Sequence, residues 1–121
     1  MNRIDSKGKA WLWALVLLLA FACVGQAAAQ AWTQLAPSGT APSARSRHTA
    51  VYDAVGNRMI AFGGTDSSSF FNDVWVLSNA NGSGGTPAWT QLAPSGTAPP
   101  AREAPAAVYD AAGNRMIVFG G

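Results

Sequence analysis

The chain has 121 residues, a formal net charge of +2, 12% charged residues and a single cysteine. The charge excess lies at the start, where Arg3, Lys7 and Lys9 outnumber Asp5; beyond residue 30, five arginines face five acids. That balance leaves no basic patch for nucleic acid, and with Cys23 in the leading stretch no disulfide can staple residues 31–121.

The basic start is followed by an uninterrupted apolar run, Ala10–Cys23, and then by small residues, with Ala27 and Ala29 at the selective positions of a cleavage site. This order predicts an export signal over residues 1–30, helical in its apolar part, and a secreted or periplasmic product that leaves the membrane on cleavage. The apolar run falls short of the roughly 20 residues of a spanning helix. Extended to Ala29 it reaches that length, so an uncleaved anchor over residues 10–29 is an alternative. Lipidation at Cys23 is another, with bulky Phe21 where a small side chain is usual.

The remaining residues, 31–121, are written largely twice. Ala31–Gly64 and Ala88–Gly121 align at an offset of 57, and 27 of 34 pairs are identical. A fixed period of this size points to stacked or radial repeats. In chain order, "AWTQLA" from Ala31 predicts a lone strand around Trp32, and the loop Pro37–His48 comes after it. Four strand bursts come next: Thr49–Asp53, Arg58–Gly64, Asp73–Ser78 and Ala88–Ala93. They are rich in β-branched and aromatic residues and bounded by turn residues. Gly56-Asn57 suits a tight hairpin between the first two. The second copy repeats the first two bursts and ends on Gly120-Gly121. No stretch keeps helical apolar spacing for two turns, so residues 31–121 are read as all-β. Runs such as "MIAF" and "VWVL" suit strands covered on both faces.

The doubled glycines Gly63-Gly64 and Gly120-Gly121, the "NDVWVL" burst with Trp75, and Trp89 in "AWTQL" resemble kelch repeats. Arg45 three residues before His48 fits the same habit. The resemblance implies antiparallel four-stranded blades of a β-propeller, including the galactose-oxidase-like kind. The second copy departs from it, with Ala104 and Pro105 in place of Arg47 and His48, and "NANGSGGTP" lengthens the loop before Trp89. Seven strands make about one and three-quarter blades, an incomplete propeller, since a ring takes four to eight blades. The expectation is therefore a partial propeller whose further blades come from a longer chain. The segment alone is expected to be loosely ordered or to aggregate.

Strand alternation puts Thr65–Asn72 and Pro37–His48 on one rim. If this rim meets a ligand, Arg45, Arg47, His48, Asp66, Phe70 and Phe71 are the candidates. Their structural alternatives are the fastening of neighbouring loops by Arg45 and Arg102, a blade edge covered by Phe70 and Phe71, and a buried, hydrogen-bonded His48. One histidine without cysteine makes no ordinary zinc or copper site, so neither metal nor cofactor is expected, and the copper chemistry of galactose oxidase finds no ligand set to match. Asp53 with Arg58, and Asp110 with Arg115, read as hairpin ion pairs or turn caps. Asp73 reads as a cap of backbone amides. Asp66 lacks the spaced ladder of a calcium loop. Asn81-Gly82-Ser83 matches a glycosylation sequon in a loop that reads as flexible.

The function expected from these features is a non-catalytic, exported interaction module for protein or carbohydrate. The alternative is the leading portion of a propeller enzyme, a carbohydrate oxidase or sugar epimerase type, with catalytic residues beyond Gly121.

Overall fold

The computed structural model describes residues 31–121, and the export signal expected over residues 1–30 lies outside them. Six strands succeed one another: β1 (Thr49–Asp53), β2 (Arg58–Phe62), β3 (Val74–Ser78), β4 (Ala88–Leu92), β5 (Ala106–Asp110) and β6 (Arg115–Phe119). No helix occurs among the described residues. The first four strands form an antiparallel meander in the order β1-β2-β3-β4, and β5-β6 form a separate two-stranded sheet. The all-β expectation and the four-stranded blade are both observed.

The β1–β2 hairpin shows how local chemistry sets the register. Asn57 takes the left-handed conformation at φ 47, and Gly56 does not. Gly56 is required for space instead: a Cβ there would lie 2.4 Å from Asp53 Oδ2. The turn closes around that carboxylate, and Asp53 pairs with Arg58 across the strands. The second copy repeats the device, with a Cβ at Gly113 reaching 2.6 Å from Asp110 Oδ2.

Alternation along the strands sorts the first sheet into two faces. Ile60 and Phe62 lie opposite Val76 and Val74, and Val74 lies opposite Leu92, so these five share one face. Ala61, Trp75 and Leu77 share the other, and all three are buried. Consecutive residues of β2, Ile60 to Phe62, are buried together. That strand is covered on both sides, and each large apolar side chain so placed contributes about 1.5–3 kcal/mol. In β3 the pattern alternates instead, with Val74 and Val76 half-buried.

The second sheet supplies the cover. Its β5 packs beside β1. Met116 and Val118 of β6 meet Ile60, Phe62, Val74, Val76 and Leu92 across a cleft of about 580 Å³. Arg58 reaches over to donate to the Tyr109 hydroxyl at 3.1 Å and to Asn114 Oδ1. The connecting backbone is laced in register as well. Gly64 donates to the Arg102 carbonyl, Arg102 to that of Phe71, and Ala104 to that of Arg47.

One expected strand does not form. Residues 31–37 are irregular and Trp32 is fully exposed, so the described residues make one complete blade and half of another rather than one and three-quarters. Among the described residues the chain before β1 meets the outer edge of β4 at Ser38, in an isolated parallel bridge with Ala88, and residues 31–37 pair with no strand.

Candidate functional site

Loops Pro37–His48 and Thr65–Asn72 come together on one rim, joined by paired backbone hydrogen bonds between Ser46 and Thr65. The loop after β4 stacks beside them. Ser46, Arg47, Thr65, Ser67, Phe70 and Glu103 line a hollow of about 390 Å³. The Arg47 guanidinium donates to Glu103 Oε1 at 2.7 Å, and its side chain stays largely in solvent. Such a pair adds little stability. It sets one cation and one carboxylate beside the exposed Phe70 ring.

Backbone geometry holds Arg47 in place. It adopts φ 54, and Ala104, its counterpart in the second copy, adopts φ 52. Left-handed backbone is uncommon for residues other than glycine, asparagine and aspartate. It recurs here because both loops turn sharply into the first strand of their sheet, and the Ala104 amide donates to the Arg47 carbonyl at 2.7 Å.

The rim residues named from sequence, His48 aside, divide into three groups. Arg47 and Phe70 line the hollow. Arg45 and Phe71 lie away from it, as a packed pair with the guanidinium 4.2 Å from the ring centroid. Arg45 also forms a two-pronged ion pair with Asp73, at 2.5 and 3.0 Å, and donates to the Gly63 carbonyl. Its side chain is only 8% exposed, which makes it a fastener between loop and strand. Asp66 turns inward on its own loop and accepts from the amides of Ser68 and Ser69 and the Ser68 hydroxyl. That hydroxyl and the two amides hold its carboxyl below the usual range.

Two expectations are corrected. His48 is exposed rather than buried, because it precedes β1 at the sheet margin. Asp73 does not cap backbone amides; it accepts from Arg45 and from the Trp75 indole at 2.7 Å. Burial alone would raise the Asp73 carboxyl, and the Arg45 and Trp75 hydrogen bonds more than offset that, leaving it lowered.

Asp53 serves both as turn cap and as ion-pair partner. Its Oδ1 accepts from the amides of Val55 and Gly56, and its Oδ2 accepts from Arg58 Nε at 2.8 Å. The Gly56 amide foremost, with Arg58 adding to it, keeps this carboxyl below its ordinary value. Asn81 sits exposed in a turn where its Oδ1 accepts from the Ser83 amide and hydroxyl. Among the described residues no three His, Cys, Asp or Glu side chains gather closely enough to hold a metal ion. The hollow offers charge, hydroxyls and an aromatic ring, a chemistry of recognition.

Comparison with known proteins bears on the fold. The family model described as the KLHDC2/KLHL20/DRC7 Kelch-repeats domain matches residues 20–121. Dynein regulatory complex subunit 7 of Chlamydomonas reinhardtii is 36% identical over 93 residues, which cover 74% of this chain and 7% of that much longer protein. No solved structure matches. With the repeat, the four-stranded sheet and the glycine pairs in place, the chain belongs to the kelch-repeat family.

Proposed function

We propose that this chain is a non-catalytic kelch module, exported through its first thirty residues, whose loop rim binds a protein partner. The observation that carries this reading is the hollow where the exposed Phe70 stands beside the Arg47–Glu103 pair and the Ser46, Thr65 and Ser67 hydroxyl-bearing residues. Aromatic and arginine side chains are those most enriched where proteins grip one another. Every named group there is suited to holding a surface. The relative's printed name, a subunit of a dynein regulatory complex, also describes a protein that works within an assembly.

A carbohydrate ligand is the second reading, since an aromatic ring flanked by hydroxyls and charges also suits a sugar. The test probes the purified chain side by side against a glycan array and a panel of extracytoplasmic proteins from its host. Each hit is then measured again with Phe70→Ala and Arg47→Ala. A protein hit weakened at least ten-fold by both variants, with unchanged far-ultraviolet circular dichroism, supports the proposal; a comparable loss is typical of an aromatic or arginine anchor. A glycan hit with the same sensitivity transfers the rim to sugar binding. Hits indifferent to both variants overturn the rim as the binding surface.

A further inference from the structure

The loop between β3 and β4 holds a reactive pairing that the rim hollow does not use. Asparagines lie among the described residues at 57, 72, 79, 81 and 114, and only Asn81 is followed by glycine. An asparagine side-chain carbonyl and the next backbone nitrogen are one ring closure apart, and a Cβ on the next residue crowds that closure. Gly82 has none, and it adopts φ 76, where residues with side chains are uncommon. Asn81 is exposed, so water and hydroxide reach it. Its Oδ1 accepts from the Ser83 amide and from the Ser83 hydroxyl, each at 2.8 Å. Two donors aimed at one carbonyl oxygen stabilise the negative charge that collects there when its carbon is attacked. Asn57 clasps the same loop: its Oδ1 accepts from the Asn81 amide at 3.0 Å, and its Nδ2 donates to the Ser83 carbonyl at 2.9 Å.

We propose that Asn81 is a self-modifying site, at which the Gly82 nitrogen displaces the Asn81 side-chain amide and the product frees the loop from Asn57. The Gly82 N–H donates to the Asn79 carbonyl at 2.9 Å, so this bond opens first. In an exposed turn such local opening costs little. The nitrogen gives its proton to solvent base and adds to Asn81 Cγ, and the carbonyl electrons collect on Oδ1 under the two Ser83 donors. The adduct then expels Nδ2, which leaves as ammonia with a proton from water, and a five-membered cyclic imide remains. Water adds to one of the two imide carbonyls and breaks its bond to the Gly82 nitrogen. Cleavage at Cγ gives aspartate, and cleavage at the backbone carbonyl gives isoaspartate; the balance is one water consumed and one ammonia released. Either product places a carboxylate where a neutral amide stood. Isoaspartate also lengthens the backbone by one methylene between residues 81 and 82. Asn57 then no longer spans from the Asn81 amide to the Ser83 carbonyl, and the loop leaves the β1–β2 hairpin. The change needs only water and time, so it records how long the folded chain has existed. The β3–β4 loop lies at the end of the sheet opposite the rim hollow, and the site stands whether or not that rim binds a partner.

The test ages the purified full chain in neutral buffer and follows tryptic peptides by mass spectrometry, with fragmentation to locate each conversion of amide to acid. An isoaspartyl-specific methyltransferase distinguishes the two products. Conversion at residue 81 is expected to outpace that at every other described asparagine by about ten-fold or more, a barrier difference of about 1.4 kcal/mol. Ser83→Ala is expected to slow it by about ten-fold, less than an enclosed oxyanion site loses, because water screens an open loop. In denaturing urea the two chains are expected to convert at one rate. Hydrogen exchange at the residue 81 amide is expected to quicken once isoaspartate has formed. Conversion spread evenly over the asparagines, or none at residue 81, overturns the site. A Ser83→Ala chain that converts as fast as the parent, or a difference that persists in urea, overturns the part given to Ser83. Unchanged exchange after conversion overturns the release of the loop. The site itself is read on the unaltered chain, so that result stands even if Ser83→Ala folds poorly.

Discussion

Phe62 and Phe119 hold the same place in the two copies, yet Phe62 is 3% exposed and Phe119 is 82% exposed. The sequence around them is nearly identical; what differs is the neighbour. Phe62 faces the second sheet across the cleft, and Phe119 faces outward with Val108 and Ile117. Alanine substitution at the two sites is therefore expected to separate sharply. Phe62→Ala loses a buried ring and leaves a cavity, costing about 3–5 kcal/mol, and Phe119→Ala stays within about 0.5 kcal/mol. Urea denaturation followed by tryptophan fluorescence measures both. Equal costs would mean that the second sheet does not cover the first in solution.

Acid is expected to unfold the chain through its lowered carboxylates. Asp53 and Asp73 both lie below the ordinary value of 3.8 in the folded state. A depressed folded value means that the unfolded chain takes up the proton first as pH falls. The stability these groups contribute is complete well above 3.8, declines as pH falls through that value, and is gone once the folded carboxyls are also protonated. Asp73→Asn is expected to lower stability at neutral pH and to flatten the decline below about pH 4. Denaturation midpoints across the acid range, from neutral down to about pH 2, test this. An unchanged slope in the variant would remove Asp73 from the account.

Much of the fold is legible in local sequence, and the exceptions share a cause. β1 spans the expected residues, and β2, β3 and β4 differ from expectation by one or two residues at an end, because β-branched and aromatic bursts are bounded by turn chemistry. The failure at Trp32 is instructive. "AWTQLA" occurs identically at 31–36 and 88–93, and only the second copy is a strand. Residues 88–92 have β3 beside them, so the partner and not the hexapeptide decides the outcome. The rim behaves likewise. Arg47 and Phe70 could be named from loop position, but Glu103 belongs to the next repeat, 56 residues from Arg47. Asp73 is 28 residues from the arginine that engages it, beyond the reach of any local cap rule. The one signal in the sequence was the repetition of arginine at 45 and 102, which pointed to fastening.

Gly56 offers a test of the hairpin that involves no positive φ. Alanine there would set its Cβ 2.4 Å from Asp53 Oδ2, forcing the carboxylate away from the Val55 and Gly56 amides. Gly56→Ala is expected to cost about 1–3 kcal/mol, the usual penalty of overpacking. In an Asp53→Ala background the clash is absent, and the same substitution is expected to become nearly neutral. A double-mutant cycle reads this coupling directly. Additive costs would show that the glycine serves some purpose other than making room for the carboxylate.

The outward face of the second sheet is apolar and exposed. Val108, Ile117 and Phe119 stand exposed in one patch, on strands whose counterparts in the first sheet are covered. Contiguous exposed apolar surface favours association. Sedimentation velocity of the chain at rising concentration is expected to show growing oligomers. A charge placed on the patch, Phe119→Lys, is expected to shift the distribution toward monomer at little cost in stability, since the native ring is already in water. Lysine at Val55 provides the control: that side chain is 94% exposed at a hairpin tip, away from both strand edges. If Val55→Lys disperses the oligomers as well as Phe119→Lys, general charge accounts for the effect and the patch has no special part in it.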